Sequence, residues 1–503
     1  MTILPTVLFT AEQTRELDRL AIAAGTPGAE LMQRAGQAAF DALCERWPEA
    51  RRIALLCGGG NNGGDGYVVA ALAHRAGLQP EIFYTRAPDT LSGDALTMAQ
   101  RCQALAIPQQ PLREDALPVE ADVLVDGLLG TGLSGALRDD MSALLAGLDA
   151  LPVPRLALDI PSGLNADTGM PLGAVLRADL TCTFIGMKRG LLTGQGPVFA
   201  GELLFFDLQV PRSVYQQVSP DCRVPVPEEL PAALPRRAAD AHKGCYGHVL
   251  VVGGDHGFPG AAIMTAQAAA RCGAGKVSLL TRPEHVAMAI TRQPEIMVRG
   301  ADESGAADEL IESATVIAVG PGLGTGPWGQ QLLERVLASG KPLVVDADAL
   351  NLLAAHAEIG AHDWVLTPHP GEAARLLQVG NPEIQSDRFA TLETLSARYG
   401  GTVLLKGLGT LIQGESAGQR CRALIVDGNP GMASGGMGDV LTGVIAALRA
   451  QGLNGYDAAR LGAMAHARAA DRCARQAGER GLLATDLLGA LREQLNEGSL
   501  YAH

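Results

Sequence analysis

The chain has 503 residues, too many for one ordinary core, so two or more domains are expected. Hydrophobic residues make up 47%, with 62 glycines and only 4% aromatics, which reads as globular α/β and excludes a disordered chain. The formal net charge of -14 argues against a general binder of nucleic acid or anionic membrane, while leaving room for a local basic pocket around a phosphorylated small molecule.

The nine cysteines are scattered and include no C-x-x-C pair, which fits a reducing compartment and mostly buried thiols. Met1 to Phe9 has neither the basic start nor the apolar core of a signal peptide, and no apolar run reaches membrane-spanning length. A soluble, cytoplasmic protein is expected.

In chain order, Glu12 to Ala24 reads as a helix, with Thr10 as N-cap and Gln13 completing a capping box. Leu31 to Leu43 is a second helix. Ile53 to Cys57 is a buried-strand pattern that runs into Gly58-Gly-Gly-Asn-Asn-Gly-Gly-Asp-Gly66, after which Tyr67 to Ala76 continues as a helix. A strand–loop–helix is where a parallel sheet presents a ligand site. Gly58-x-Gly60-x-x-Gly63, with Glu81 downstream, matches the dinucleotide fingerprint in letters. Against that reading, Asp65 brings negative charge to the place of a pyrophosphate, and Asn61 and Asn62 bring amides that a bare phosphate cradle does not use. Such groups suit a ligand rich in hydroxyls and carboxamide, or a monovalent cation. Two later strands end in carboxylates, Asp122 to Asp126 and Arg155 to Asp159, each followed by a Gly/Ser-containing loop. A single strand-end Asp is often only a turn residue. Two on one sheet edge place Asn62, Asp126, Asp159 and Ser162 in one candidate pocket.

Residues 211–240 are crowded with prolines, which remove backbone donors and fix φ, so a linker is expected there. The expected domains are 1–218 and 241–503, joined by 219–240. Beyond the linker, strand patterns end at Val252, Val319, Asp346, Thr367 and Lys406, and each opens into a Gly- or Pro-rich loop. No P-loop motif is present. Lys406 is open to two readings, a nucleotide phosphate partner or a surface lysine. His369 is likewise open, a structural histidine or a neutral imidazole on a substrate hydroxyl or carboxamide.

Gly428-Asn-Pro-Gly-Met-Ala-Ser-Gly-Gly-Met-Gly-Asp439 is a glycine-rich turn entering an apolar helix, Val440 to Leu448. Glycines turn backbone N–H groups toward a ligand, and a helix N-terminus favours an anion. A carboxylate at that junction is costly unless used. Together they suit phosphoryl transfer, with the amides holding phosphate charge and Asp439 taking a hydroxyl proton.

Gly253-Gly-Asp-x-Gly-x-x-Gly-Ala261, Thr367-Pro-His-Pro-Gly-Glu372, Lys406-Gly-x-Gly-Thr410 and the turn ending at Asp439 resemble the ADP-dependent NAD(P)H-hydrate dehydratases, a family of ribokinase-like fold. Asn61-Asn-Gly-Gly-Asp-Gly66, with Asp126 and Asp159-Ile-Pro-Ser-Gly163, is similar to the NAD(P)H-hydrate epimerases. The tandem order resembles the bacterial bifunctional NAD(P)H-hydrate repair enzymes. The resemblance implies an α/β chain with a Rossmann-like three-layer N-terminal domain and a ribokinase-like C-terminal domain. It implies epimerisation of the R and S hydrates at C6, then ADP-dependent dehydration of the S hydrate with release of AMP and phosphate. By motif match, Asn62, Asp126 and Ser162 correspond to potassium ligands. Asn61, Asn62, Gly63, Gly64, Asp65, Gly130, Thr131, Gly132, Leu133, Ser134, Gly135, Ala136 and Asp159 correspond to hydrate-binding positions, with Asp159 the acid/base. In the second half Ala261, Gly322, His369 and Asp439 correspond to hydrate contacts. Lys406, Gly407, Leu408, Gly409, Thr410 and Gly438 correspond to nucleotide contacts, with Asp439 catalytic. Magnesium and ADP, the hydrates NADHX and NADPHX as substrates, and a homo-oligomer are expected. The alternative is a ribokinase-like small-molecule kinase carrying a non-catalytic N-terminal nucleotide-binding module; His369-x-x-Glu372, where many sugar kinases of that fold have Asn-x-x-Glu, favours the dehydratase.

Overall fold

The computed structural model describes residues 4–133, 135–302, 305–355 and 362–496. The chain divides between Arg223 and Val224 into two compact units.

In the first unit a short antiparallel pair joins β1 (Val7–Leu8) to β9 (Cys222–Arg223). Between them lie β2 (Arg52–Cys57), β3 (Gln79–Tyr84), β4 (Gln109–Pro111), β5 (Val123–Gly127), β6 (Arg155–Leu158), β7 (Leu180–Phe184) and β8 (Glu202–Phe206). These form a seven-stranded sheet of order β4-β3-β2-β5-β6-β7-β8. Every neighbouring pair is parallel. Parallel strands need helical crossovers, so both faces are covered and the strands are apolar throughout. Ile53, Leu55, Val123 and Val125 pack on one side with helices Ala11–Ala23, Gly28–Arg46, Asn61–Arg75 and Gly93–Ala104. Ala54, Leu56 and Leu124 pack on the other side with Leu144, Leu145 and Leu148 of helix Asp139–Asp149. The expected three-layer arrangement is present. The Thr10–Gln13 capping box forms as expected.

The segment expected as a loop from Gly58 to Gly66 differs. The helix already starts at Asn61. Glycine disfavours helix by about 1 kcal/mol, but packing overrides propensity here. A Cβ on Gly63 would sit 2.1 Å from the Gly58 carbonyl oxygen, and one on Gly64 would sit 2.5 Å from the end of Met32.

The second unit contains β10 (His248–Val252), β11 (Lys276–Thr281), β12 (Met297–Gly300), β13 (Val316–Val319), β14 (Leu343–Val345), β15 (Trp364–Leu366), β16 (Thr402–Leu405), β17 (Thr410–Ser416) and β18 (Gln419–Ile425). Their order is β18-β17-β16-β15-β14-β13-β10-β11-β12. The strands from β10 to β16 are mutually parallel, and β17 and β18 add an antiparallel hairpin. Since β11 and β13 lie on opposite sides of β10, the order reverses at β10/β13. Open α/β sheets bind ligands at such a reversal, beyond the strand carboxyl ends. Within 219–240, Leu230 is buried in this unit's core and Glu229 is ion-paired with Arg460. Among the described residues no helix is long and apolar enough to cross a membrane.

Candidate active sites

In the first unit, neighbouring strands β2, β5 and β6 bring their carboxyl ends together. Asp126, 1% exposed, accepts hydrogen bonds from Ser162 N (2.8 Å), Ser162 Oγ (2.6 Å) and Leu128 N (3.2 Å). Burial pushes its pKa up to about 6 although these donors pull the other way. Asn62 Nδ2 donates to Leu129 O at 3.1 Å, while its Oδ1 is buried without a hydrogen-bond partner. Asn62, Asp126 and Ser162 thus meet around the Leu128–Leu129 backbone. Such an orphaned amide oxygen, beside carboxylate and hydroxyl oxygens, is the donor chemistry of a hard cation.

A cleft of about 660 Å³ opens beside this cluster. Asn61, Asn62, Asp65, Gly130, Thr131, Gly132, Leu133 and Asp159 line it. Gly63 and Gly64 are buried behind it, Gly135 and Ala136 are exposed beyond its lining, and Ser134 lies outside the described residues. Asp159 is a non-glycine residue at φ +64°, an unusual conformation that turns the chain sharply after β6. Its Oδ1 is ion-paired with Lys188 and accepts from Phe184 N at 3.2 Å. Lys188 is itself fully buried and also donates to Phe184 O at 2.8 Å.

In the second unit three strand-end loops close on one another. Asp255 N donates to Gly322 O at 2.6 Å, and Gly324 N donates to Asp348 Oδ2 at 2.9 Å. Gly320, at φ +124°, lies so close to the next loop that a Cβ would stand 1.8 Å from Asp346 O. Ala261 lies in the first turn of helix Pro259–Arg271 beside these loops, and Thr265 one turn on donates to Asp439 O at 3.0 Å.

Asp439 occupies the first turn of helix Met437–Ala450, entered through Gly436 at φ +92°. Lys406 Nζ binds Asp346 Oδ1 at 2.6 Å, and Thr442 Oγ1 donates to Asp346 Oδ2 at 2.8 Å. A Cβ on Gly438 would lie 3.1 Å from Lys406 Nζ, so the glycine-rich turn rests directly on the lysine. Lys406 is therefore not a surface lysine; it is a largely buried cation among carboxylates. Burial works against its charge, but Asp346, Glu372 and Asp439 raise its pKa. Burial first, then Asp346, pushes Asp439 up to about 7, with Lys406 opposing and Asp348 reinforcing. Glu372 is pushed up to about 7, chiefly by burial.

His369 caps helix Pro370–Leu377. Its Nδ1 accepts from Gly371 N at 3.0 Å, and its own N–H donates to Glu372 at 2.7 Å. Burial, then Lys406 and Arg375, lowers its pKa. With Nδ1 accepting, the neutral ring carries its proton on Nε2, as a donor. The Gly407–Thr410 loop is closed by Thr410 Oγ1, which donates to Gly407 O at 3.0 Å, and Leu408 is exposed at its tip. Arg388, 2% exposed, holds this loop from below: its guanidinium donates to the carbonyls of Leu405 (3.2 Å), Lys406 (3.2 Å), Gly409 (3.0 Å) and Leu408.

Residues 249–493 match the family model of NAD(P)H-hydrate dehydratase, and residues 28–190 that of the YjeF-related protein N-terminus. The chain is 47% identical over 492 residues to the bifunctional NAD(P)H-hydrate repair enzyme of Coxiella burnetii, covering 98% of this chain and 100% of that protein. The chain belongs to the bifunctional NAD(P)H-hydrate repair enzyme family. The Escherichia coli repair enzyme is 44% identical, with 93% of this chain and 89% of that protein covered. An ADP/ATP-dependent NAD(P)H-hydrate dehydratase from Bacillus subtilis, co-crystallized with ATP/Mg2+, matches with TM-score 0.51 and 30% identity over 55% of this chain and 99% of its own. A ribokinase-like superfamily protein from Enterococcus faecalis matches with TM-score 0.50 and 30% identity over 55% of this chain and 96% of its own. The second unit of this repair-enzyme family member has the ribokinase-like fold.

Sequence reasoning missed Asp346, Lys188 and Arg388 as members of these sites, and Asp18, which also lines the cleft of the first unit; it had Glu372 only as a motif residue without a role. Asp346 carried the same strand-end signal as Asp126 and Asp159, and could have been found by it. Asp18 lies on helix Ala11–Ala23 and Arg388 on helix Arg388–Tyr399, 17 to 21 residues before the carbonyls it binds, and nothing local marks either.

Proposed function

We propose that this chain repairs hydrated NADH and NADPH, the first unit epimerising the R and S hydrates at C6 and the second dehydrating the S hydrate at the expense of ADP. The observation that carries the reading is Asp439. A carboxyl pushed up to about 7 stands in the first turn of a helix, behind a glycine turn and beside Lys406. A base tuned near neutrality takes a hydroxyl proton with little penalty, and the turn's N–H groups stabilise the charge on a transferred phosphoryl group.

Hydroxide is a poor leaving group. Phosphorylation by ADP, which leaves AMP, turns the C6 oxygen into a good one; phosphate then leaves with push from the ring nitrogen, and loss of the C5 proton forms the C5=C6 bond of the dihydronicotinamide. His369, whose Nε2 lies 3.4 Å from Glu372 Oε1, donates to the hydrate through that nitrogen. Ala261 and Gly322 flank it, and Lys406 to Thr410 with Gly438 hold the adenine nucleotide. Lys406, kept charged by Asp346, faces the phosphates. Asp346, Asp348, Glu372 and Asp439 outnumber Lys406 and the nearby Arg375, which favours magnesium arriving on the nucleotide, where Asp346 and Glu372 would meet it. Magnesium neutralises phosphate charge in such transfers.

In the first unit the hydrate lies along Asn61 to Asp65 and the Gly130–Ala136 segment, with Asp159 acting on the C6 hydroxyl. Asn62, Asp126 and Ser162 would hold potassium, which fits the unpartnered Asn62 Oδ1. That ion would fix the Leu128–Leu129 backbone beside the cleft and supply positive charge near a carboxylate-rich pocket. A homo-oligomer in the cytoplasm completes the proposal.

The test follows absorbance at 340 nm with mixed R and S NADPH hydrate, ADP, Mg²⁺ and K⁺. Wild type should recover all the NADPH, Asp439→Asn none, and Asp159→Asn should rapidly recover only the S fraction. No recovery with ADP or ATP overturns the dehydratase reading and leaves a small-molecule kinase.

A further inference from the structure

The cleft of the first unit holds a carboxyl with a partner and a carboxyl without one. Asp159 is ion-paired with Lys188, which Thr183 Oγ1 (3.1 Å) and Phe184 O (2.8 Å) hold in place. Asp65 rises from the second turn of helix Asn61–Arg75 and lines the same cleft. Its carboxyl group receives no hydrogen bond or ion pair from the described residues. The two approach from different sides: the helix bearing Asp65 follows β2, Asp159 follows β6, and β5 lies between those strands. Asp18, from helix Ala11–Ala23, adds a third carboxyl, with Asp94 and Arg15 on the cleft wall. Burial first, then repulsion from Asp159 and Asp18, keeps Asp65 protonated well above the usual carboxylate range, with Lys188 opposing. One carboxyl is held by a buried ammonium and the other has no partner among the described residues, an asymmetry that suits a base and an acid in one cleft.

We propose that Asp65 is the general acid and Asp159, positioned by Lys188, the general base of the epimerisation, acting on opposite faces of C6; the proposal rests on the epimerase reading above. Asp65 gives its proton to the C6 hydroxyl. The C6–O bond breaks, its electron pair leaving with water, while the N1 lone pair forms an N1=C6 double bond. Planar C6 then takes water on the other face. Asp159 accepts that water's proton as the new C6–O bond forms, and the N1=C6 pair returns to nitrogen. One water leaves and one enters, nothing is oxidised, and the reverse inversion runs from the resulting protonation state. An inversion by this route exchanges the hydroxyl oxygen with solvent.

The experiment gives the full-length protein purified R-NADPH hydrate with K⁺ in H2(18)O, without ADP so that no hydrate is dehydrated. R and S are separated by chromatography and weighed by mass spectrometry against the enzyme-free rate. We expect every S molecule formed by wild type to carry the heavy oxygen. The rate should fall at high pH as Asp65 loses its proton. Asp65→Asn and Asp159→Asn should each slow inversion by about 10²–10⁴-fold. What remains in Asp65→Asn should lose the high-pH decline, which a structural role would leave in place. Enzymic S hydrate without heavy oxygen overturns the route. Wild-type rate, or a retained high-pH decline, in Asp65→Asn overturns the assignment of Asp65. Should that variant not fold, the label and pH profile of wild type still decide. No inversion above background by wild type overturns the epimerase reading itself.

Discussion

Replacing Arg388 with Met tests how the nucleotide loop is held. The guanidinium donates to four backbone carbonyls, of Leu405, Lys406, Leu408 and Gly409. Hydrogen bonds to charged groups contribute about 1.5–3 kcal/mol each, so four at the low end give about 6 kcal/mol. Against this stands the burial that draws the arginine's pKa from 12.5 to about 10, a cost of about 3 kcal/mol. The net loss on removing the side chain is then about 3 kcal/mol, to which Met returns some packing. For a unit of this size that lowers Tm by roughly 6–12 °C. The freed loop should also raise the KM for ADP by tenfold or more, while epimerisation in the other unit proceeds at the wild-type rate. Calorimetry and the 340 nm assay read both. A Tm within 1 °C of wild type together with an unchanged KM refutes the claim that Arg388 organises the loop.

Asp439→Asn should lower dehydration by about 10²–10⁴-fold at fixed ADP. In wild type the rate should rise with pH through about 7, since the base must be ionised. The same carboxyl affects stability: it holds its proton up to about 7 when folded and to about 3.8 when unfolded, so its contribution declines as pH rises between those values. The fall in Tm from pH 5 to pH 8, measured without ligands, should therefore be smaller in Asp439→Asn than in wild type. Replacing K⁺ with a large organic cation should slow epimerisation and leave dehydration of pure S hydrate unchanged; equal loss of both activities removes the support for a potassium site at Asn62, Asp126 and Ser162. Gly320→Ala places a Cβ at 1.8 Å from Asp346 O in a backbone of φ +124°, so it should cost about 1–3 kcal/mol and displace Asp346 from Lys406, visible as a lowered Tm and a reduced dehydration rate.

What could be read in the sequence was what local pattern encodes. Buried parallel strands are apolar along their whole length, so β2, β5, β10 and β13 announce themselves, and the polar residue that ends each run falls at the ligand edge by geometry alone. Asp126 and Asp159 were legible for that reason, and Asp439 because a glycine-rich turn runs into its helix. The start of helix Asn61–Arg75 was not, because glycine's local preference points to a loop and only the approach of Gly58 and Met32 reverses it. The β17–β18 hairpin carries no glycine loop of chemical interest and went unassigned. Most hidden were the partners that set protonation. Lys188, Asp18 and Arg388 have no motif, since an electrostatic role depends on which distant element the fold brings near and not on spacing along the chain. A motif therefore shows which carboxylate reacts, and the fold shows in which protonation state it does so. That is why Asp65 reads as a binding residue in the sequence and as an acid once Asp159, Asp18 and Lys188 surround it.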